Sequence, residues 1–139
     1  MGNDNLTRKT KRKASLMTVI MLLLSLPFLV EAAEINNELA IRAIIGEASN
    51  QGYQGMLAIA CGIRNRGTLE GVYGLKAKHI NKEPIWVWDM AKRAWQESKY
   101  NRIHQGTHWE NIKTFGKPYW LRDMTLVYQY KDHNFYKPK

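Results

Sequence analysis

The sequence contains only one cysteine, Cys61, so no disulfide can form within the chain. Residues 57–63 around it are mostly apolar, and no neighbouring group in the sequence would lower the pKa of the thiol. We therefore predict that Cys61 fills space in the core and is not a reactive nucleophile. Nucleophilic catalysis by Cys61 or Ser98 with a histidine has no local sequence signature.

Long apolar runs are also scarce. The one strong run, residues 16–30, is shorter than the roughly 20 residues that span a bilayer as a helix, and Pro27 interrupts it. Five basic residues precede the run and small residues follow it, which is the order of a secretory signal. We predict that residues 1–32 are a signal peptide, or alternatively an uncleaved N-terminal membrane anchor. Residues 33–139 then form one exported domain, located in the periplasm, the cell envelope or the extracellular space.

Acidic residues are fewer than basic ones. The chain has 21 Lys and Arg against 12 Asp and Glu, and from Ala33 onward the balance is 16 against 10, a difference of +6. This charge predicts an acidic partner, such as nucleic acid, anionic lipid or the anionic polymers of bacterial envelopes. No block of five or six basic residues follows the leader, which argues against nucleic acid. Membrane contact is expected only through the N-terminal segment, and only if that segment is uncleaved.

Three segments have the patterns of helices. Asn36 or Asn37 can cap a first helix that runs to about Ala48. A second helix is predicted over residues 53–65, and a third over residues 84–98, with Pro84 in its first turn. The segment between the second and third helices, residues 67–83, is rich in Gly, Lys and polar groups, and we predict a loop there.

The C-terminal part has a different pattern. Residues 106–120 contain turn signals and aromatics, and residues 125–137 alternate around a turn at 131–134, which predicts a β-hairpin. Helices followed by a small hairpin indicate an α+β domain that is mainly α-helical.

Glu47 is the candidate acid that the helix pattern singles out. In a helix from Glu38, the residues Ala40, Ala43, Ile44 and Glu47 fall three and four positions apart, so the carboxylate projects from an apolar stripe. Burial would raise the pKa of such a carboxyl group, which would let it donate a proton near neutral pH. The alternative is that Glu47 lies at the rim, points into solvent and has no chemical role. The helical spacing alone leaves both interpretations open.

Aromatic residues are plentiful, with five Trp and seven Tyr. Sugars present apolar ring faces to aromatic side chains and hydroxyls to polar ones, so this composition suits a carbohydrate cleft. Trp88 and Trp95 lie on the third predicted helix and are expected in the core. The candidates for substrate contact are Trp109, Trp120, Tyr128 and Tyr136.

The histidines raise the possibility of a metal site. His104 and His108 are four residues apart, with Glu110 nearby and His133 in the hairpin. Gly106 makes a helix unfavourable between the two histidines, and the glutamate that follows the first histidine of zinc peptidases is missing. We therefore predict no metal and no cofactor.

Three ordered motifs resemble the SleB-type cell-wall hydrolases. The opening motif of that family is similar to Gly46–Ala48, followed by Gly52–Gly55 and Ala58–Arg66. Its Thr-His-aromatic-x-Asn element resembles Gly106–Asn111, and its terminal His-x-Phe-Tyr resembles Asp132–Tyr136. Residues 68–100 match the family poorly.

The resemblance implies a lysozyme-like or lytic-transglycosylase-like domain that acts on peptidoglycan glycan strands, with Glu47 as the catalytic acid. It also implies a set of substrate-binding residues: Tyr53, Thr107, His108, Trp109, Asn111, His133, Phe135 and Tyr136. Because no second carboxylate is obvious, although Glu110 and Asp132 remain open, we expect a lytic transglycosylase that leaves 1,6-anhydro-MurNAc ends. The alternatives are a muramidase that uses water and a non-catalytic peptidoglycan-binding module.

Overall fold

The computed structural model describes residues 33–139, whose regular structure consists of helices and one small sheet. The helices are α1 (Asn37–Ala48), α2 (Gly52–Arg66), α3 (Ile85–Glu97) and the short α4 (Ile112–Phe115). The strands are β1 (His108–Glu110), β2 (Met124–Tyr130) and β3 (His133–Pro138). The predicted signal peptide or anchor lies outside the described residues. Between residues 33 and 139, no helix has the length and apolarity needed to cross a membrane.

Local signals set the ends of the three long helices, and all three predicted helices are confirmed. The side chain of Asn36 accepts a hydrogen bond from the Leu39 N–H at 3.0 Å and so caps α1. Helix α2 ends at Gly67, whose φ of 76° is left-handed and favours glycine. Pro84 directly precedes α3 as its N-cap, one position earlier than a first-turn residue.

The core lies where α1, α2 and α3 meet. Helix α2 is the most deeply buried element, since every residue from Gly55 to Ile63 is buried. Cys61 is fully buried, as predicted, and its thiol donates to the Asn101 carbonyl at 3.4 Å. Trp95 is in the core, but Trp88 is only partly buried and packs at the edge.

The sheet has three antiparallel strands in the order β1-β3-β2. The predicted hairpin is confirmed as β2 and β3, and Lys131 adopts a positive φ of 50° in its turn. The sequence pattern missed β1, which pairs His108 with Tyr136, because three residues are too few to show an alternation. The architecture is therefore α+β, with helices predominating.

The segment predicted as a loop, residues 67–83, contains two short 3₁₀ helices, Tyr73–Lys76 and Ile80–Lys82. Val72 and Ile80 are buried and attach the segment to the core. The main chain of the first 3₁₀ helix packs directly against α1. Gly46 makes this possible, because a Cβ at that position would overlap the Gly74 carbonyl. This close approach brings the Gly74 main chain beside Glu47.

Candidate active site

Glu47 lies in a cleft of about 1220 Å³. Two groups of residues line the cleft, one from each half of the domain. The helical side comprises Gly46, Glu47, Ser49, Asn50, Gln51, Gly71, Tyr73, Gly74, His79 and Glu83. The sheet side comprises His108, Trp109, Glu110, Asn111, Thr114, Phe115, Tyr119, Trp120, Asp132 and His133. Arg66, at the end of α2, also lines the cleft.

The carboxylate of Glu47 is held from both sides. Its Oε1 accepts a hydrogen bond from the main-chain N–H of Gly74 at 2.6 Å, and its Oε2 accepts one from the indole N–H of Trp109 at 3.1 Å. The side chain is half-buried. The sequence offered an apolar surrounding or open solvent for this group, and the structure shows neither. Because two donors fix both oxygens, the orientation of the carboxyl group is set before any substrate binds.

Two glycines make these two hydrogen bonds possible. A Cβ on Gly74 would lie 2.7 Å from the Glu47 nitrogen and 2.8 Å from its Cδ. A Cβ on Gly62 of α2 would lie 2.9 Å from Cε3 and Cζ3 of the Trp109 ring. All of these distances are shorter than ordinary van der Waals contact, so each glycine lets one hydrogen-bond donor approach Glu47.

Two of the predicted histidines reach the cleft. Burial lowers the pKa of His133, although the carboxylates of Glu47, Asp132 and Glu110 act against this effect. Burial also lowers the pKa of His108, and the positive charge of Arg66 contributes in the same direction. Both imidazoles are therefore favoured in the neutral form at neutral pH, in which each ring can donate one hydrogen bond and accept another.

His104, the third predicted histidine, does not line the cleft. Its Nδ1 accepts from the Gly106 N–H at 2.9 Å, so its Nε2 carries the proton and donates to the Ala58 carbonyl at 2.8 Å. Both ring nitrogens are thus occupied by main-chain groups, and His104 is not free to bind a metal together with His108. Within residues 33–139, no group of three or more His, Cys, Asp or Glu side chains could hold a metal ion.

Three further carboxylates line the cleft. Glu110 accepts from the N–H of Asn111 at 3.0 Å, and Asp132 lies 3.6 Å from the ammonium group of Lys113. Glu83 faces His79 at 4.0 Å. The sequence left Glu110 and Asp132 open as second carboxylates but gave no indication of Glu83, which belongs to the segment that matches no motif.

The aromatic residues of the cleft differ in part from the predicted set. Trp109 and Trp120 line it, whereas Tyr128 and Tyr136 do not. Three aromatics without a predicted role also line it: Tyr73, Phe115 and Tyr119, which are 82%, 75% and 88% exposed. Sequence reasoning missed them because aromatic side chains occur equally in cores, and only the tertiary structure shows which ones stay uncovered.

Of the other residues predicted to bind substrate, Asn111 lines the cleft and also caps α4 by accepting from the Thr114 N–H at 3.0 Å. Thr107 is not a lining residue, but its hydroxyl lies 2.9 Å from Nδ1 of His108. Phe135 is buried in the core, and Tyr136, also buried, packs edge-on against Trp120. Thr107, Phe135 and Tyr136 therefore support cleft residues rather than line the cleft.

Tyr53 lies elsewhere. Its hydroxyl donates to the carboxylate of Glu97, and the guanidinium of Arg93 lies 5.3 Å from its ring centre. Burial, together with the negative charge of Glu97, raises the pKa of Tyr53 to about 12. The residue thus links α2 to α3, and its place in the fold is structural rather than in the cleft.

Comparisons of the chain with protein-family models, with curated proteins and with solved structures find no match. A functional conclusion therefore depends on the geometry of the cleft and on the three sequence motifs.

Proposed function

We propose that this protein cleaves peptidoglycan glycan strands at the MurNAc–GlcNAc bond, with Glu47 as the acid, in a lysozyme-like domain. The observation that carries the proposal is the carboxyl group of Glu47, which is half-buried in a cleft and oriented by hydrogen bonds to Gly74 and Trp109. The resemblance of three ordered motifs to the SleB-type hydrolases supports the same activity.

The size and lining of the cleft favour a polysaccharide. Its volume, about 1220 Å³, exceeds the roughly 300–1,000 Å³ of pockets that hold small ligands. Exposed rings of Tyr73, Phe115 and Tyr119 offer faces against which sugar rings can pack. Asn111 and His133 offer hydrogen-bonding groups for hydroxyl and N-acetyl groups.

The proposed reaction needs one carboxyl group. Protonated Glu47 gives its proton to the bridging oxygen as the bond to the MurNAc C1 breaks, and an oxocarbenium-like centre develops there. The 6-hydroxyl of the same MurNAc attacks C1, and the Glu47 carboxylate accepts its proton. The products are a 1,6-anhydro-MurNAc end and a free GlcNAc hydroxyl, and Glu47 is protonated again.

Hydrolysis by water is the second candidate, because Glu83, Glu110 and Asp132 line the same cleft. An ordinary glycosidase uses a second carboxylate either to activate water or to attack the sugar. In that case the new chain end is a reducing MurNAc. Substitution of the second carboxylate by its amide would then abolish cleavage, which the transglycosylase reaction does not require.

Mass spectrometry of sacculi digested by the protein tests the proposal. Anhydro ends are expected, reducing ends would replace the transglycosylase by a hydrolase, and binding without any cleavage would leave only a peptidoglycan-binding module. Glu47→Gln should remove cleavage while the protein stays folded. Glu70→Gln is the matched control, since Glu70 is exposed and outside the cleft. An active Glu47→Gln variant would contradict the role given to this residue.

Anionic envelope polymers are proposed as additional partners, because residues 33–139 carry a net charge of +6. Such attraction is screened by salt. We therefore expect binding to purified cell walls to weaken between low and high ionic strength. Binding that does not change with salt would reject this part of the proposal. Export across the cytoplasmic membrane, which the leader predicts, would bring the protein to this substrate.

A further inference from the structure

Arg66 is the only lysine or arginine among the described residues that line the cleft. The same lining contains four carboxylates, those of Glu47, Glu83, Glu110 and Asp132. An anionic group of a substrate would be repelled by unpaired carboxylates and attracted by Arg66 at the end of α2.

The guanidinium of Arg66 lies beside Trp109 and Gly71, and no residue between 33 and 139 accepts a hydrogen bond from it. It lies 6.0 Å from the ring centre of Trp109, and its Nη2 would be only 2.8 Å from a Cβ on Gly71. Among residues 33–139, no side chain or carbonyl accepts a hydrogen bond from it, and no carboxylate pairs with it. Other arginines differ, since Arg64 donates to Ser98 and the Trp95 carbonyl, and Arg102 donates to Asn65.

A half-buried guanidinium with free donors is suited to a carboxylate. Its planar N–H groups match the two oxygens of a carboxylate in a paired geometry that a lysine cannot reproduce. Muramic acid has a lactyl carboxyl group that is free wherever no stem peptide is attached to it, and stem peptides carry carboxylates of their own, whereas chitin has none. The Arg66 guanidinium lies 6.0 Å from the ring centre of Trp109, and the indole N–H of Trp109 donates to Glu47, so Trp109 stands between a carboxylate bound at Arg66 and the acid.

We propose that Arg66 binds a carboxylate of the substrate and thereby makes the cleft select glycans that contain muramic acid over neutral N-acetylglucosamine polymers. This inference rests on the proposed function, because it assigns the substrate class of that same cleft. Arg66 is in this view a specificity-determining residue, and the chemistry at the glycosidic bond does not involve it.

The test measures binding by calorimetry in a Glu47→Gln background, so that no ligand is consumed. The ligands are peptide-free GlcNAc–MurNAc oligomers, the same oligomers with the lactyl carboxyl converted to a methyl amide, peptide-bearing strands, and chitin oligomers of equal length. Arg66→Gln should weaken binding of the carboxylate oligomer by about 10- to 100-fold, the range for a hydrogen bond to a charged group. Binding of the amide form and of chitin oligomers should change by less than about twofold.

Two further variants separate recognition from structure. Arg66→Lys keeps the charge at the end of α2 and should recover only part of the affinity. Arg122→Gln removes the same charge from an exposed residue outside the cleft and should change nothing. An equal loss on carboxylate and amide ligands would mean that Arg66 only supports Trp109, and it would overturn the inference. No loss on any ligand would overturn it as well.

The ligand series also identifies the source of the carboxylate. A loss with peptide-free oligomers assigns the lactyl group, and a loss confined to peptide-bearing strands assigns the stem peptide. Cleavage assays with the unsubstituted protein keep the two proposals apart. A protein that binds these glycans with the expected Arg66 dependence but cleaves none of them contradicts only the enzymatic function. A protein that cleaves these glycans, but whose binding of carboxylate-bearing strands and of chitin oligomers changes equally or not at all in Arg66→Gln, contradicts only the role of Arg66.

Discussion

The substitution Gly74→Ala is the most direct test of the way Glu47 is held. The new Cβ would lie 2.7 Å from the Glu47 nitrogen and 2.8 Å from its Cδ, whereas ordinary contact begins at 3.4 Å. The contact with Cδ would therefore be about 0.6 Å shorter than an ordinary contact, the difference between 3.4 Å and 2.8 Å. The Glu47 nitrogen is main chain, Cγ of Glu47 would be closer still, and Cδ belongs to a carboxyl group held by two hydrogen bonds, so the 3₁₀ helix Tyr73–Lys76 or the carboxyl group has to move.

Such a displacement has two measurable effects. The hydrogen bond from the Gly74 N–H to Oε1, now 2.6 Å long, would stretch beyond good geometry. Misplacement of a reacting group by about 1 Å can reduce a rate about 100-fold, so we expect kcat to fall by roughly 10- to 100-fold. Overpacking of this kind also lowers the free energy of unfolding by about 1–3 kcal/mol.

The assay is the rate of solubilisation of purified sacculi, measured beside urea unfolding of the same preparation. Lys76→Ala is the control, because Lys76 lies on the same 3₁₀ helix, is exposed and does not line the cleft. Lys76→Ala should retain both activity and stability. If Gly74→Ala has the kcat of the unsubstituted protein, the Gly74 hydrogen bond does not position the acid and the reasoning is refuted.

Three more predictions follow from particular contacts. Trp109→Phe removes the N–H donor to Oε2 of Glu47 but keeps a ring against Gly62, so kcat should fall about 10-fold or more. An unchanged kcat would show that the hydrogen bond from Trp109 does not position Glu47. Burial lowers the pKa of His104 below its ordinary 6.5, so the unfolded chain binds a proton more readily than the folded protein. The stability that this neutral histidine contributes above pH 6.5 is therefore lost as the pH falls. The free energy of unfolding, measured with urea, should be smaller at about pH 5.5 than at about pH 7.5. A larger free energy of unfolding at the lower pH would contradict this. Burial raises the pKa of Cys61, so a thiol reagent should label it only after unfolding; rapid labelling of the native protein would show that it is accessible.

The helices could be predicted because their signals are local. Asn36 caps α1, Gly67 ends α2, and Pro84 precedes α3, and each of these residues acts through its own backbone or side chain. Strand β1 could not be predicted, because its three residues become a strand only through pairing with β3. The sequence of β1 therefore carries too little information about its partner.

The site was predictable only where side-chain chemistry identifies it. Glu47, Trp109 and His133 are unusual residues in recognisable motifs, and the structure brings them to one cleft. The Gly74 N–H escaped notice because every residue except proline carries that group, and only the packing of one main chain against another selects it. Conversely, Phe135 belongs to a motif but is buried, since its ring packs among the rings of His104 and Trp109.

The two partners of Glu47 come from different halves of the domain, and both are neutral. A lysine or arginine at either place would instead bind the carboxylate as an ion pair. A main-chain N–H and an indole N–H orient the group without adding a charge. Because one donor belongs to the 3₁₀ helix and the other to β1, the orientation exists only when the helical and sheet sides are packed together. A helix excised from residues 37–48 would therefore contain the acid without the geometry that the proposed proton transfer requires.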